Sequence, residues 1–486
     1  RSRPSLMALF DTLDRSILAA KSSGAGATAP RKLINPATEQ PFREVFDAAP
    51  DDVDLAAKAA FETWEGGWRD LAPGARADLL YKLANLLEKH AAELGALDSQ
   101  SMGKPLASAQ GEAASGGRTF RYYAGAIGMA KGEVIPVARG GFDFTIRQPL
   151  GVAACIVPWN FPLAIAGWKA APALAAGNCV LLKPAAQSPL GALALGQLAL
   201  EAGFPPGALQ VICGQGGTIG DALVTHPLVR KVSFTGSTSV GQRVMKLAAT
   251  DFKRVSLELG GKSPNIVFAD SDWEKAAESA PWSVFDNTGQ DCCARSRVFV
   301  ERSIYEPFVE RFIAATRKLR VGDPTDKSTD LGPLVSADQR TTVESFLTDA
   351  RQLKRTIRCG GDRPSGAGYF LNPAIITDVE TGDRCWEEEI FGPVACVRAF
   401  DNEEAMIREV NASPYGLSGS LWTRDLQRAL RVAKRIDAGV ISVNCHNSVH
   451  TEAPFGGFKH SGLGRDLGRA ALEGFSELKN IYIAET

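Results

Sequence analysis

Over 51 to about 90, apolar residues recur three and four positions apart, in "VDLAAKAAFETW" and "ADLLYKLANLLEKHAAEL". That spacing predicts two amphipathic helices. Past residue 150 the pattern changes. "GVAACIVP", "CVLLKP", "LQVICG" and "KVSFTG" are short apolar runs without alternation. "PLAIAGWKAAPALAAG", "PLGALALGQLALEAG", "TIGDALVTH" and "STSVGQRVMKLAA" follow or separate them as helices. Strands apolar on both faces and joined by single helices predict a parallel, doubly wound sheet over about 150–259. A second α/β series occupies about 260–460: "NIVFAD", a helix from about Trp273, "SRVFVE", "IYEPFVERFIAATRKL", "DLQRALRVAKRIDAG" and "VISVN".

Two pieces fit neither series. "FDFTIRQPLG" (142–151) reads as half a hairpin and "NIYIAE" (480–485) as an isolated apolar strand. Both are expected to lack a partner in either domain and to pair with another subunit by edge addition. "SSGAGATAP" (22–30) reads as a flexible early loop. The longest apolar tract, 151–182, holds one charge, Lys169, and is broken by Pro158, Asn160, Pro162, Pro172, Gly177 and Asn178. No uninterrupted helix of ~20 residues fits it, so it reads as core and not as a membrane span.

Composition narrows the function classes. The 486 residues are 45% hydrophobic and 22% charged, with a formal net charge of -1. A near-zero charge gives no electrostatic reason to expect nucleic acid or an anionic membrane as partner, which leaves a small molecule. Nine scattered cysteines without a CxxC pair suggest a reducing, cytoplasmic setting and no disulfide framework. The N-terminal "RSRPSLMALF" lacks the apolar core of a signal peptide, and Met7 could be a native start. No HExxH or zinc spacing occurs, so no metal is expected. His446 and His450 stand four apart near Glu452, but in a loop that spacing has no geometric meaning.

Three places could carry chemistry. "VICGQGGTIGDAL" and "SFTGSTSVGQ" set glycines between a strand and a helix, where a backbone can approach a phosphate at a helix N-terminus. Either loop could equally be an ordinary tight βα turn. Glu258, between Leu257 and Leu259, is a carboxylate at an apolar strand end. It either caps a nearby backbone amide or is functional. "NTGQDCC" places Cys292 and Cys293 after loop or helix-start chemistry, where backbone N–H groups can lower a thiol pKa. Packing or nucleophile are both open on spacing alone.

Seven stretches occur in order: "VPWNFPL", "GNCVLLKPA", "FTGSTSVG", "LELGGKSPNIVF", "NTGQDCC", "EEEIFGPV" and "PFGGFKHSGLGR". Together they resemble the NAD(P)-dependent aldehyde dehydrogenase superfamily from about residue 31 onward. The resemblance implies an α/β fold: a Rossmann-type cofactor domain (1–135 and 150–259), an α/β catalytic domain (260–460) and a small oligomerisation β-extension (136–149 and 461–486). It implies a nucleophile at Cys292 and a general base at Glu258. The oxyanion hole falls to Asn160 with the Cys292 backbone N–H. By the same resemblance NAD or NADP would be held by Ile156, Pro158, Trp159, Lys183, Ala186, Gly216, Gly220, Phe234, Gly236, Ser237, Val240, Leu259, Glu389 and Phe391. The substrate tunnel would be walled by Phe161, Trp168, Asp291, Cys293, Cys445 and Phe455. A homodimer or homotetramer is implied as well.

Two departures stand out. Many relatives carry Glu at the position of Ala186, where it holds the adenosine-ribose hydroxyls. Ala186 can neither do that nor repel a 2′-phosphate, so NADP is admitted beside NAD. In some relatives a Glu at the position of Asp466 and the lysine matching Lys169 are proposed to relay protons from the base. Asp466 is a methylene shorter, so a relay here is expected to need an added water or to be absent. Glu258 also sets the chain apart from CoA-acylating relatives, which typically lack that base. Two rival readings are a nitrilase-like hydrolase using Glu258, Lys262 and Cys292, and a non-catalytic binding or structural relative. The loop 445–452 offers no Lys or Arg, which disfavours dicarboxylic semialdehydes and leaves aliphatic, aromatic and amino-aldehydes open.

Overall fold

The computed structural model describes residues 30–446 and 448–485. All of the expected early loop except Pro30 therefore lies outside the described residues, as do Met7 and Asn447. The first large sheet runs, in space, Gly462–Leu463, Arg254–Glu258, Val229–Thr235, Val152–Ile156, Cys179–Lys183 and Leu209–Val211. All but the short Gly462–Leu463 are parallel. The chain enters at the central strand Val152–Ile156, winds outward to Leu209–Val211, then returns to Val229–Thr235 and winds the other way. The order reverses between Val152–Ile156 and Val229–Thr235, and a doubly wound sheet opens its ligand crevice at the carboxyl ends of such a pair. Every residue of Val152–Ile156 and Cys179–Lys183 is buried, which is why those runs show no alternation. Pro162 opens the helix Pro162–Ala175 at its first turn, where its missing N–H leaves no bond unmade.

The second sheet has seven strands in the order Thr356–Cys359, Ala374–Thr377, Val394–Phe400, Arg297–Glu301, Pro264–Val267, Ser418–Trp422 and Val440–Val443. Only the first is antiparallel to its neighbour. The helices Ala91–Met102 and Leu106–Ala126 were not legible in the apolar periodicity. The second buries Ala109, Ala113, Gly116 and Gly117, small residues that let backbones approach closely but carry little hydrophobic signal. Among the described residues no helix is long and apolar enough to cross a membrane.

The expectation that 142–151 and 480–485 lack an internal partner is corrected. Phe142–Pro149 and Ser476–Ile483 pair antiparallel with each other over eight residues, from Ser476↔Pro149 to Ile483↔Phe142. The partner lies more than three hundred residues away in sequence, so no local pattern announces it. Val134–Ile135, read with the cofactor unit, completes this small sheet as its third strand. Gly462–Leu463 and the helix Gly468–Gly474, read with the bridging segment, belong elsewhere. The strand extends the first sheet, and Ala471, Leu472 and Phe475 join its apolar core.

Asn178 ties these parts together. Its side-chain oxygen accepts the Gly151 N–H at 2.9 Å, and its amide donates to the carbonyls of Phe475 at 2.8 Å and Ala173 at 3.1 Å. All lie in the interior, so Asn178→Ala strands buried backbone groups at a cost of about 1–3 kcal/mol. A lower calorimetric Tm is expected, with the chemistry at the strand ends intact in the protein that stays folded.

Candidate active site

The carboxyl ends at the switch point gather most of the expected cofactor residues. Ile156 ends the central strand, followed by Pro158 and Trp159. Phe234 lies near the end of its neighbour, followed by Gly236 and Ser237. The Gly236 N–H donates to the Glu258 carbonyl at 3.1 Å, joining this turn to the next strand end. Ser237 caps the helix Thr238–Ala249 by accepting the Val240 N–H. Gly241, in that helix, packs so close to Leu259 that a Cβ there would lie 2.4 Å from a Leu259 methyl. Lys183 closes its strand almost wholly buried, and burial pushes its ammonium pKa down. No side chain would meet a Cβ at Gly216 or Gly217 within 4 Å, so the backbone there is open to a ligand. Gly220 lies beside Lys183. A helix N-terminus, an open glycine turn and a desolvated cation fit a dinucleotide's phosphates and ribose.

Glu389 sits further along this cleft, accepting the Gly261 N–H at 2.9 Å. Burial pushes its carboxyl up to about 7, with the Gly261 bond and Lys262 acting against that rise. Trp159 and Phe391 meet edge to face with centroids 5.3 Å apart.

Cys292 and Cys293 lie in a turn ahead of the strand Arg297–Glu301, a setting different from the helix start that would lower a thiol pKa. The Cys292 thiol is instead pushed well up, first by its hydrogen bond with Cys293 and then by burial. That corrects the expectation of a depressed pKa. The turn is held firmly. Asn287 and Thr288 before it adopt left-handed φ of 50° and 59°, conformations that ordinary side chains disfavour and that surrounding bonds must enforce. The Thr288 hydroxyl donates to the Gly332 carbonyl at 2.9 Å, and Asn287 donates to the carbonyls of Asn160 and Gln290. A Cβ on Gly261 would lie 2.3 Å from the Cys292 carbonyl oxygen, so only glycine lets the two segments touch.

Asn160 is buried beside this turn. Its amide donates to the Gln290 carbonyl at 3.0 Å and keeps a second N–H uncommitted. Lys104 donates to the Asn160 carbonyl at 3.0 Å, is paired with Glu112 and lies 3.8 Å from the centre of the Phe161 ring. Lys104 and Glu112 were absent from the sequence reading, and Asn287 stood in the motif "NTGQDCC" without a role of its own. Lys104 and Asn287 act on a backbone carbonyl and Glu112 on Lys104, relations that the motif does not display.

Glu258 ends its strand with both oxygens buried and unpartnered, so the amide-capping alternative does not hold. Burial, then the nearby Asp466 charge, drive its carboxyl well above the usual range, against the pull of Lys169 and Arg465. Lys169 donates to Asp466 at 2.8 Å and to Ser233 at 3.1 Å, both deep in the interior, while the second Asp466 oxygen has no partner. Asp466 and Phe455 exchange backbone hydrogen bonds of 2.8 and 2.7 Å, which fixes the acid beside the expected tunnel wall.

Trp168 and Phe455 meet at 5.2 Å between centroids. Cys293, Leu417, Phe455 and Leu467 form an apolar cluster against which Trp168, Cys292 and Val449 pack. Val449, Leu417 and Leu467 are wall residues that the sequence reading missed. Cys445 is exposed and absent from this cluster. His446 turns aside to Ser279 and Ser420 and packs against Trp422 with the rings tilted by 58°, where burial lowers its pKa to about 3. Among the described residues Asp291, Cys292 and Cys293 alone bring possible metal donors within 4.8 Å. One Asp291 oxygen already accepts the Cys293 N–H and the Cys292 thiol is held protonated, so the set is a poor cation ligand.

The profile described as "Aldehyde dehydrogenase family" matches residues 24–481. An aldehyde dehydrogenase of Davidiella tassiana is 42% identical over 93% of this chain and 91% of its own length. Human retinaldehyde dehydrogenase 3 is 42% identical over 92% of this chain and 88% of its own. The NAD+ complex of a Bacillus cereus aldehyde dehydrogenase superposes with a TM-score of 0.93 at 40% identity, covering 94% of each chain. Betaine aldehyde dehydrogenase of Staphylococcus aureus, also with NAD+, gives 0.91 at 35% identity over 94% of this chain and 91% of its own. Sequence and fold agree over nearly the whole described length: the chain belongs to the aldehyde dehydrogenase family and oxidises aldehydes to carboxylic acids with NAD(P).

Proposed function

We propose that Cys292 is the nucleophile, Glu258 the general base and Asn160 an oxyanion donor, with the thioester released to water. The observation that carries this reading is the Glu258 carboxylate, buried without any partner beside the Cys292–Cys293 pocket. A group so desolvated is held ready to take a proton. The thiol starts protonated, so its attack on the aldehyde carbon needs an acceptor for the S–H proton, and Glu258 supplies it. The new oxyanion takes hydrogen bonds from the free Asn160 N–H and the Cys292 backbone N–H, each such donor being worth about 3 kcal/mol. Bound nicotinamide supplies the hydride acceptor. Glu258 passes the thiol proton on, through a water, to the unpartnered Asp466 oxygen. Once ionised again, it draws a proton from the water that adds to the acyl carbon. The adduct collapses, that proton returns to the departing thiolate, and the acid is released. Lys169 donates to the other Asp466 oxygen at 2.8 Å and positions the acid that receives the proton. Lys262 serves none of these steps. It is buried among Cys396, Cys385 and Arg297, which argues against a nitrilase-like set.

Aromatic walls at Phe161, Trp168 and Phe455 favour an apolar or aromatic aldehyde. We also infer a homo-oligomer. Among the described residues Ser476–Ile483 has one edge unpaired, and Leu478, Tyr482, Ile483 and Phe142 are exposed on this small sheet. All nine cysteines are free thiols, in keeping with a cytoplasmic setting.

Cys292→Ala should lower aldehyde-dependent NAD(P)H formation by more than about a thousandfold. Cys293→Ala should lower it far less. Removing Cys293 also removes the main cause of the raised Cys292 pKa, so iodoacetamide should alkylate that variant faster at pH 7. A slower reaction there would contradict the pairing.

Glu258→Gln should slow the NAD(P)H burst as well as steady turnover, because the variant lacks the acceptor for both the thiol proton and the water proton. A base works only when ionised. Because its folded pKa is raised, parent turnover should fall as pH drops through that value, well above the ~4.3 of a free glutamate. A profile flat from about pH 5 to 8 would contradict the raised pKa of Glu258.

Light scattering at micromolar concentration should report a dimer or larger. A monomer would leave the exposed sheet edge without its inferred role.

A further inference from the structure

We propose that Arg31, on the N-terminal hairpin, reads the 2′-phosphate of NADP together with Lys183, an assignment that rests on the NAD(P)-dependent reading above. In a doubly wound sheet the carboxyl end of the second strand meets the adenosine ribose. An acid there selects the 2′-hydroxyl, and a nearby arginine accommodates the 2′-phosphate. Here that strand is Cys179–Lys183, and Pro184, Ala185, Ala186 and Gln187 follow it without an acid.

The cation arrives from a different part of the chain. Arg31 begins the strand Arg31–Asn35, which among the described residues pairs with Gln40–Val45 in a hairpin outside both large sheets. Its Nη1 donates to the Ala186 carbonyl at 2.5 Å. Its Nε and Nη2 clasp Asp47 at 2.9 and 2.8 Å. The segment carrying Asp47 is docked at the next strand end, where the Ala48 N–H donates to the Cys213 carbonyl at 2.9 Å. Arg31, Asp47 and Lys183 therefore cluster at the ends of neighbouring strands, close enough that Lys183 and the Cys213 thiol both feel the other two charges.

The donor count favours an anion. The Asp47 charge is taken up by the guanidinium fork, which leaves Lys183 as a net positive charge. Arg31 keeps one uncommitted N–H on each Nη. Lys183 donates once, to the Pro184 carbonyl at 3.1 Å, and keeps two. A guanidinium whose plane is set by a carboxylate and a carbonyl presents its remaining N–H groups in a fixed direction, which suits the oxygens of a phosphate. A glutamate at 186 would offer Arg31 a second carboxylate and repel the phosphate. Alanine does neither. Asp47 is then a positioning residue, acting on the nucleotide through Arg31.

The test needs no turnover. Isothermal titration of the full chain with 2′,5′-ADP and with 5′-AMP gives the affinity ratio that the 2′-phosphate commands. The parent should prefer 2′,5′-ADP. Arg31→Gln should cut the ratio by about tenfold or more, and Arg31→Lys by less, because it keeps the charge without the fork. A ratio unchanged within about twofold in Arg31→Gln, or equal weakening of both probes, would overturn the proposal and make Arg31 a structural tie for the hairpin. Ala186→Glu keeps the hairpin intact and should cut the ratio by a similar factor, and an unchanged ratio there would also overturn it. A parent that binds 5′-AMP but not 2′,5′-ADP would refute the role of Arg31 and leave aldehyde oxidation standing. Failure to bind either probe, with no NAD(P)H burst from any aldehyde, would refute the cofactor reading itself.

Discussion

The site depends on one crossing of the chain. After Glu258 the backbone leaves the first sheet, passes through Gly260 and Gly261, and enters the second sheet at Pro264. At that crossing it touches both other parts of the machinery. A Cβ on Gly260 would lie 2.3 Å from a Glu389 oxygen, and one on Gly261 at the same distance from the Cys292 carbonyl. The two glycines thus set how close the strand end that carries Glu258 comes to the turn that carries Cys292. Any larger residue would wedge the two units apart, and a misplacement of an ångström at reacting atoms is enough to lose orders of magnitude in rate.

Closing that seam buries charge, and the rest of the interior is arranged to tolerate it. Lys169 and Asp466 neutralise each other inside the first core. Lys104 and Glu112 do so under Asn160 and Phe161. Paired ions of this kind add little net stability, because desolvation offsets their attraction. Their effect is directional: each fixes a polar atom that would otherwise wander in an apolar surround. Glu258, like Asp98 elsewhere in the interior, is a buried carboxylate left without a hydrogen-bond partner. Its raised pKa and the raised pKa of Cys292 belong together. Burial holds both groups toward their protonated, uncharged forms.

Much of this was legible in the residues themselves. Unbroken apolar runs such as Val152–Ile156 can be stable only between two layers of helices, so the doubly wound sheet followed from local sequence. Spacing alone left Cys292 and Cys293 both open, and the proposal of Cys292, with the candidates Asn160, Glu258 and Glu389, came from the resemblance of short motifs to the family. Long-range relations were out of reach. The pairing of Phe142–Pro149 with Ser476–Ile483, the hold of Lys104 and Asn287 on the Asn160 carbonyl, and the reach of Arg31 to Ala186 join positions far apart in the chain. The direction of the Cys292 pKa also waited on the fold. Local sequence suggests which backbone amides stand near a thiol, whereas burial and the neighbouring Cys293 sulfur act through space and exist only once the chain has closed around them.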